Sequence, residues 1–308
     1  MIIRKYCITF ALMKRIILSL LIAIGAIAAR GADGDLFPYP VPPADMSTLQ
    51  ERCDYLVSHF WDRADIKSAM SKTEKLNSTF GDWIGFMPYA SADTVYSAIG
   101  RLMHSVRKSG PQALHIARLA ENWVYSDTSQ YRSEDIFYHF AKAAADNRKI
   151  GGADRARFER AARIIDNTRQ GGRMRHLTWQ TPDGRKATLD TIRTQVILVF
   201  FNEHDCDDCS LARVRLSADH NINTLISSGL LTVLCIEPGE PSTEWHVAAA
   251  GQPANWVKGA CDDADEWFDI KSTPAFYLLD ARHKVLAKGY NTDGIIRALA
   301  AVRANTGL

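Results

Sequence analysis

Two hydrophobic periods divide the chain. Up to about Ile165, apolar residues recur three and four positions apart; from Leu177 onward they alternate or form short continuous runs. The first pattern predicts helices and the second predicts strands set among helices. Leu49, Cys53, Leu56, Val57 and Phe60 share one helical face behind Ser47-Thr48-Leu49-Gln50, which reads as a capping box. Val95, Ile99, Leu102, Met103 and Val106 mark another helix, capped by Ser91 or Asp93 and broken at Ser109-Gly110-Pro111. Ile116, Leu119, Ala120 and Trp123 mark a third. A polar loop, Ser126 to Arg132, then leads to Ser133-Glu134-Asp135, which opens a helix carrying Ile136, Phe137 and Phe140. Gly151-Gly152-Ala153-Asp154 opens the last, with Phe158, Ala161, Ala162 and Ile165. Residues 37–170 are therefore expected to form an all-α domain of about five or six helices.

The glycine pair Gly171-Gly172 is the expected boundary, and residues 173–308 form the second domain. Leu177 to Gln180, the turn Thr181-Pro182-Asp183-Gly184 and Lys186 to Leu189 read as a hairpin. Val196 to Phe201 is continuously apolar, which suits a central strand covered on both faces. A helix follows from Cys206, bent or restarted near Ala218-Asp219-His220. Leu230 to Ile236 is the next strand, and a helix crosses Trp245 to Ala249. Trp256 to Gly259 is a short strand candidate and Asp262 to Phe268 a short helix, with Cys261 expected in an accessible loop between them. Ala275 to Leu279 and Lys284 to Lys288 are strands joined by a turn, and a terminal helix starts near Thr292. Strands alternating with helices require parallel pairing, and the last two strands must pair antiparallel.

Composition adds little to this picture and the N-terminus adds much. The 308 residues are 46% hydrophobic and 23% charged with a net charge of +2, so neither disorder nor nucleic-acid binding is indicated. Met13-Lys14-Arg15, the apolar run Ile16 to Ile27 and the Ala26-Ile27-Ala28 site have the layout of a secretory signal peptide within residues 1–32. The expected location is the periplasm or cell envelope, with membrane contact only through an uncleaved signal. Phe37-Pro38-Tyr39-Pro40-Val41-Pro42-Pro43 is an extended lead-in, either a tether or docked on the body. Export makes the cysteines informative. Cys53 and Cys235 fall on apolar positions and read as buried thiols. No metal spacing and no cofactor motif is present, so neither a metal nor a cofactor is expected.

Cys206-Asp207-Asp208-Cys209 stands where an apolar strand ends and a helix begins. A thiol at a helix N-terminus faces unpaired N–H groups and the positive end of the dipole, which favours its thiolate. This is the context of a redox pair rather than a metal knuckle.

The strand order, the Cys-x-x-Cys at the first strand-to-helix corner and Thr273-Pro274 before the last hairpin resemble the exported bacterial thioredoxin-like proteins. The helical region is similar to domain-of-unknown-function family 5106, through Phe37-Pro38-Tyr39-Pro40 and Tyr131-Arg132-Ser133-Glu134-Asp135. The resemblance implies an α/β thioredoxin-like fold, a central mixed sheet with helices on both faces, preceded by the all-α domain. It implies Cys206 as nucleophile, Cys209 as resolving thiol, a cis Pro274, and Thr273 as the backbone contact for substrate. It also shows departures. The usual aromatic before the first cysteine is Asp205, and the usual buried carboxylate falls at Phe200. Glu203 and His204 are the remaining candidates for proton transfer. Asp207 and Asp208 either raise the cost of a thiolate at Cys206, which would make the pair more reducing, or serve only as first-turn acids that favour the helix.

The function expected is an exported thiol–disulfide oxidoreductase that reduces or isomerises disulfides of envelope proteins, acting on protein or peptide thiols and disulfides, with a separate electron donor if it works as a reductase. The alternative is a catalytically weak thioredoxin-like module whose helical domain binds a peptide or envelope partner.

Overall fold

The computed structural model describes residues 36–270, 272–289 and 291–306. Residues 1–32, expected from the sequence to be a signal peptide, lie outside them. The chain divides into two compact units, Met1–Glu159 and Arg160–Leu308. The division falls inside a helix, ahead of Gly171-Gly172.

The first unit holds α1 (Leu49–His59), α2 (Ile66–Ala69), α3 (Thr73–Phe86), α4 (Ala92–Val106), α5 (Gly110–Ala120), α6 (Glu134–Ala145) and the start of α7 (Gly152–Thr168). A π turn, Glu121–Tyr125, extends α5. The capping box exists but sits one residue later than the sequence pattern suggested: Thr48 caps α1 and Glu51 reaches back to it. Helices α2 and α3 are additional to those the pattern marked. Lys72 at the head of α3 makes no side-chain cap, so α3 carries no start signal. Its Leu76, Phe80, Trp83 and Ile84 are nevertheless fully buried. Phe60, Phe80, Trp83, Phe137 and Phe140 form an aromatic core, and Trp83 Nε1 donates to Val57 O at 3.2 Å. The proline-rich lead-in docks on this core. Phe37 is 7% exposed and packs on Phe60 and Trp61, while Tyr39 Oη donates to Asp82.

The second unit is built on β1 (Thr178–Gln180), β2 (Lys186–Thr188), β3 (Val196–Phe201), β4 (Leu231–Pro238), β5 (Val257–Cys261), β6 (Ala275–Asp280) and β7 (Val285–Gly289). They form one sheet in the order β2-β1-β5-β4-β3-β6-β7. β3 pairs parallel with β4 and antiparallel with β6, and all six of its residues are buried. The period of two along β3 assigns the faces. Ile197, Val199 and Phe201 join one core; Val196, Leu198 and Phe200 join the other. The helices are α8 (Asp207–Ala218), α9 (His220–Ser227), α10 (Thr243–Ala250), α11 (Ala264–Trp267) and α12 (Thr292–Thr306). The restart near Asp219 is real: this residue ends α8 and caps α9.

The expectation for Cys261 is corrected. It is the last residue of β5 rather than a loop residue, and it is 1% exposed. The strand starts after Trp256 and runs through Gly259, and Pro238 pairs with Cys261. Gly259 is what lets the β1–β2 hairpin join the edge of the sheet beside β5: a Cβ there would fall 2.9 Å from the Trp179 Cβ and closer still to the indole.

Candidate active site

β3 ends at Phe201, and residues 202–206 turn the chain into α8. Cys206 is the N-cap of α8, and its Sγ lies 3.1 Å from the Cys209 backbone N–H. A sulfur here meets the orphan donors and the dipole of the first turn. Cys206 and Cys209 are joined as a disulfide with Cα atoms 5.2 Å apart. Cys206 is partly exposed and Cys209 is fully buried. Across the site, Cys206 Sγ is 3.7 Å from Thr273 O, and the Thr273–Pro274 peptide is cis. Thr273 is half-buried and Pro274 buried. Cys206, Cys209, Thr273 and Pro274 are therefore brought together.

Phe200 is wholly apolar in its surroundings: it is fully buried, stacks on Phe276 with centroids 5.0 Å apart, and faces Cys235 in the β3–β4 register. No carboxylate occupies that place. A polar chain lies beside it instead. Asn202, 1% exposed, donates from Nδ2 to Cys235 Sγ at 2.9 Å. Its Oδ1 accepts from Arg213 at 2.7 Å. Arg213 also donates to Ser210 Oγ at 2.6 Å, and Ser210 Oγ donates to Cys206 O at 3.2 Å. The chain runs without a gap from β4 to the backbone of the nucleophile candidate. Buried polar groups are tolerated when satisfied in this way.

Of the two proton-transfer candidates, His204 has a defined partner. Its Nδ1 is 2.7 Å from Glu237 Oε1, and its backbone N–H donates to the same oxygen at 3.4 Å. Glu237 raises the His204 imidazole above the ordinary histidine value by accepting its hydrogen bond. Burial pushes the Glu237 carboxyl up, with His204 pulling it back. Glu203 is half-buried on the same turn. Asp205, Asp207 and Asp208 are exposed.

The remaining thiols are sequestered. Burial pushes Cys53 up to about 11 and Cys235 up to about 12, Arg213 and the Asn202 amide pulling the latter back. Cys261 is raised as well, by burial first and then by its hydrogen bond to Asp263. None of the three resembles Cys206 in exposure. Among the described residues no cluster of side chains could hold a metal ion.

Sequence reasoning missed Asn202, Ser210, Arg213 and Glu237. Asn202 carried a readable signal, a polar residue closing an apolar run. Glu237 carried none beyond its place after a strand.

Comparison with solved structures decides the architecture. A thioredoxin-like protein from Bacteroides caccae superposes with a TM-score of 0.65 at 22% identity, covering 87% of this chain and 99% of its own. The fold is thioredoxin-like. The C-terminal domain of an uncharacterised Bacteroides fragilis protein aligns at 27% identity and a TM-score of 0.41, over 44% of this chain and 99% of its own. The thioredoxin domain of a Bacteroides vulgatus thiol–disulfide oxidoreductase aligns at 18% identity and 0.38, over 43% and 96%. Residues 22–167 match the family model "Domain of unknown function (DUF5106)". No curated protein matches the sequence. The helical region thus carries a family match, and the thioredoxin-like sheet carries the cysteine pair.

Proposed function

We propose that this protein is a thiol–disulfide oxidoreductase that acts on protein or peptide disulfides through Cys206 and Cys209. The observation that carries the reading is the half-exposed Cys206 at the head of α8, disulfide-bonded to Cys209, with its sulfur against Thr273 O. In the reducing direction, the Cys206 thiolate attacks a substrate sulfur. One substrate thiolate leaves and takes a proton, and Cys206 stays bound in a mixed disulfide. Cys209 then attacks Cys206 Sγ and releases the second substrate thiol. Two electrons and two protons pass from the pair to the substrate. An external dithiol donor restores the pair. The Thr273 backbone beside the disulfide is the contact for an extended substrate segment.

Export to the periplasm or envelope belongs to the same proposal and rests on the Met13 to Ala28 pattern. A second reading, a thioredoxin-like module with weak chemistry, is favoured by Phe200, which leaves Cys209 without the usual neighbouring acid. The test is reduction of insulin disulfides with dithiothreitol as donor. Mature wild-type protein is expected to accelerate it, and Cys209→Ser to accumulate mixed disulfides on non-reducing gels. A wild type no faster than Cys206→Ser sinks the oxidoreductase reading in favour of the module.

A further inference from the structure

Glu237 has no part in the exchange reaction, yet it is a carboxylate only 7% exposed, set at the C-terminal end of the strand beside the redox turn. A buried carboxylate is costly unless its lone pairs are occupied. One oxygen of Glu237 takes two hydrogen bonds, and both come from His204, two residues before Cys206. The same strand grips the turn at two further points. Asn202 N donates to Ile236 O at 2.9 Å, and the Asn202 side chain donates to Cys235 Sγ. Three consecutive residues, Cys235, Ile236 and Glu237, therefore hold the segment that presents Cys206. Only Asp205 separates the last grip from the nucleophile.

The charge around the turn gives the last grip a second consequence. His204 faces Asp205 on its own turn, Glu237 on β4 and Glu244 at the head of α10, and Glu237 in turn feels Glu203 and acts on the Cys235 thiol. Asp207 and Asp208 add two more carboxylates beside Cys206. In that setting a protonated His204 is the one cation on the turn itself, and it favours a thiolate at Cys206. The carboxylate that holds His204 in place is also the group that raises its affinity for a proton.

We propose that Glu237 is a positioning residue for the redox pair: through His204 it anchors the turn that presents Cys206 and couples the charge on that turn to the thiol. This rests on Cys206 as the reacting thiol, but not on any particular substrate. A structural ion pair alone would fix the turn and leave the thiol indifferent to the protonation of His204.

The experiment reads the thiol directly. In reduced protein carrying Cys209→Ser, the rate of Cys206 alkylation by iodoacetamide is followed against pH, and the His204 ring is titrated by NMR. With Glu237 present, the alkylation profile is expected to carry a second inflection that coincides with the His204 titration, above the ordinary histidine value. Glu237→Gln keeps an oxygen acceptor and removes the charge. It is expected to move the His204 titration and the inflection down together, and to slow alkylation at neutral pH by about threefold to tenfold. His204→Gln keeps an N–H donor for Glu237 and is expected to abolish the second inflection. Profiles that superimpose for Glu237 and Glu237→Gln proteins overturn the proposal, as does an inflection that survives His204→Gln. If Glu237→Gln does not fold, the His204→Gln profile decides alone. Insulin reduction does not enter this test, so a protein inactive on insulin can still pass it, and an active one can fail it.

Discussion

The two compact units handle polar groups in opposite ways. Among the described residues, Thr79 is the one buried polar side chain of the first unit, whereas Asn167, Thr168, Asn202, Glu237 and His283 are buried in the second. The first unit is a helical aromatic core that places its charges outside, the arrangement helix periodicity alone produces. The second accepts the cost of interior polar groups, and two of them, Asn202 and Glu237, meet at the turn before Cys206. Interior polarity that is fully hydrogen-bonded fixes geometry more sharply than apolar packing does. The contrast marks the turn before Cys206, the site of the proposed chemistry, without reference to any relative. The cysteines repeat it: Cys53 is a packing residue in the first unit, and Cys206 is the accessible sulfur of the second.

That contrast can be broken at several levels. The largest expected effect is on turnover. Cys206→Ser should end disulfide reduction, while Cys53→Ala should change the rate less than twofold; comparable losses in an insulin assay would erase the distinction. Next comes stability. Phe80→Ala in the first unit should cost roughly 3–5 kcal/mol in urea unfolding, with Cys206 alkylation unchanged in the folded protein. Asn202→Ala should cost less, about 1–3 kcal/mol for the partners left unpaired, but should slow disulfide exchange, the reverse pairing of effects. A pH series of unfolding midpoints comes fourth. His204 and Glu237 both have folded values raised above their unfolded ones, so the native state holds more protons. Their stabilising contribution is complete below the reference values of 4.5 for Glu237 and 6.5 for His204. It is lost as pH rises through the folded values. Glu237→Gln should flatten that decline, and an unchanged slope would count against the pairing. The smallest effect belongs to the exposed carboxylates. Asp207→Asn with Asp208→Asn should make Cys206 alkylate faster at low pH, by less than about tenfold, because charges in water are well screened.

Much of the architecture was legible because β3, β4 and β6 are buried on both faces and leave largely apolar runs, with Thr232 the one break ahead of Glu237 in β4. The cysteine pair was legible because its strand and helix are sequence neighbours. Cys261 was misplaced for a physical reason. Its strand contains Lys258 and Gly259, and it is held by pairing with β4 and β1 rather than by its own propensity. Helix α3 was hidden because it lacks a cap. Glu237 was illegible because it meets His204 only through parallel pairing of β4 with β3, and an acid after a strand ordinarily reads as a solvated end. Arg213 looked like any exposed residue of α8 until Asn202 gave it a partner.

Gly259 and Trp179 have a consequence beyond this molecule. The glycine leaves the space that the indole fills, and the indole is what seats the β1–β2 hairpin at the sheet edge. Among proteins of this architecture the two positions should change together over evolution. A lineage that lost the hairpin would be released to place a side chain at the strand position, and one that kept the tryptophan would not.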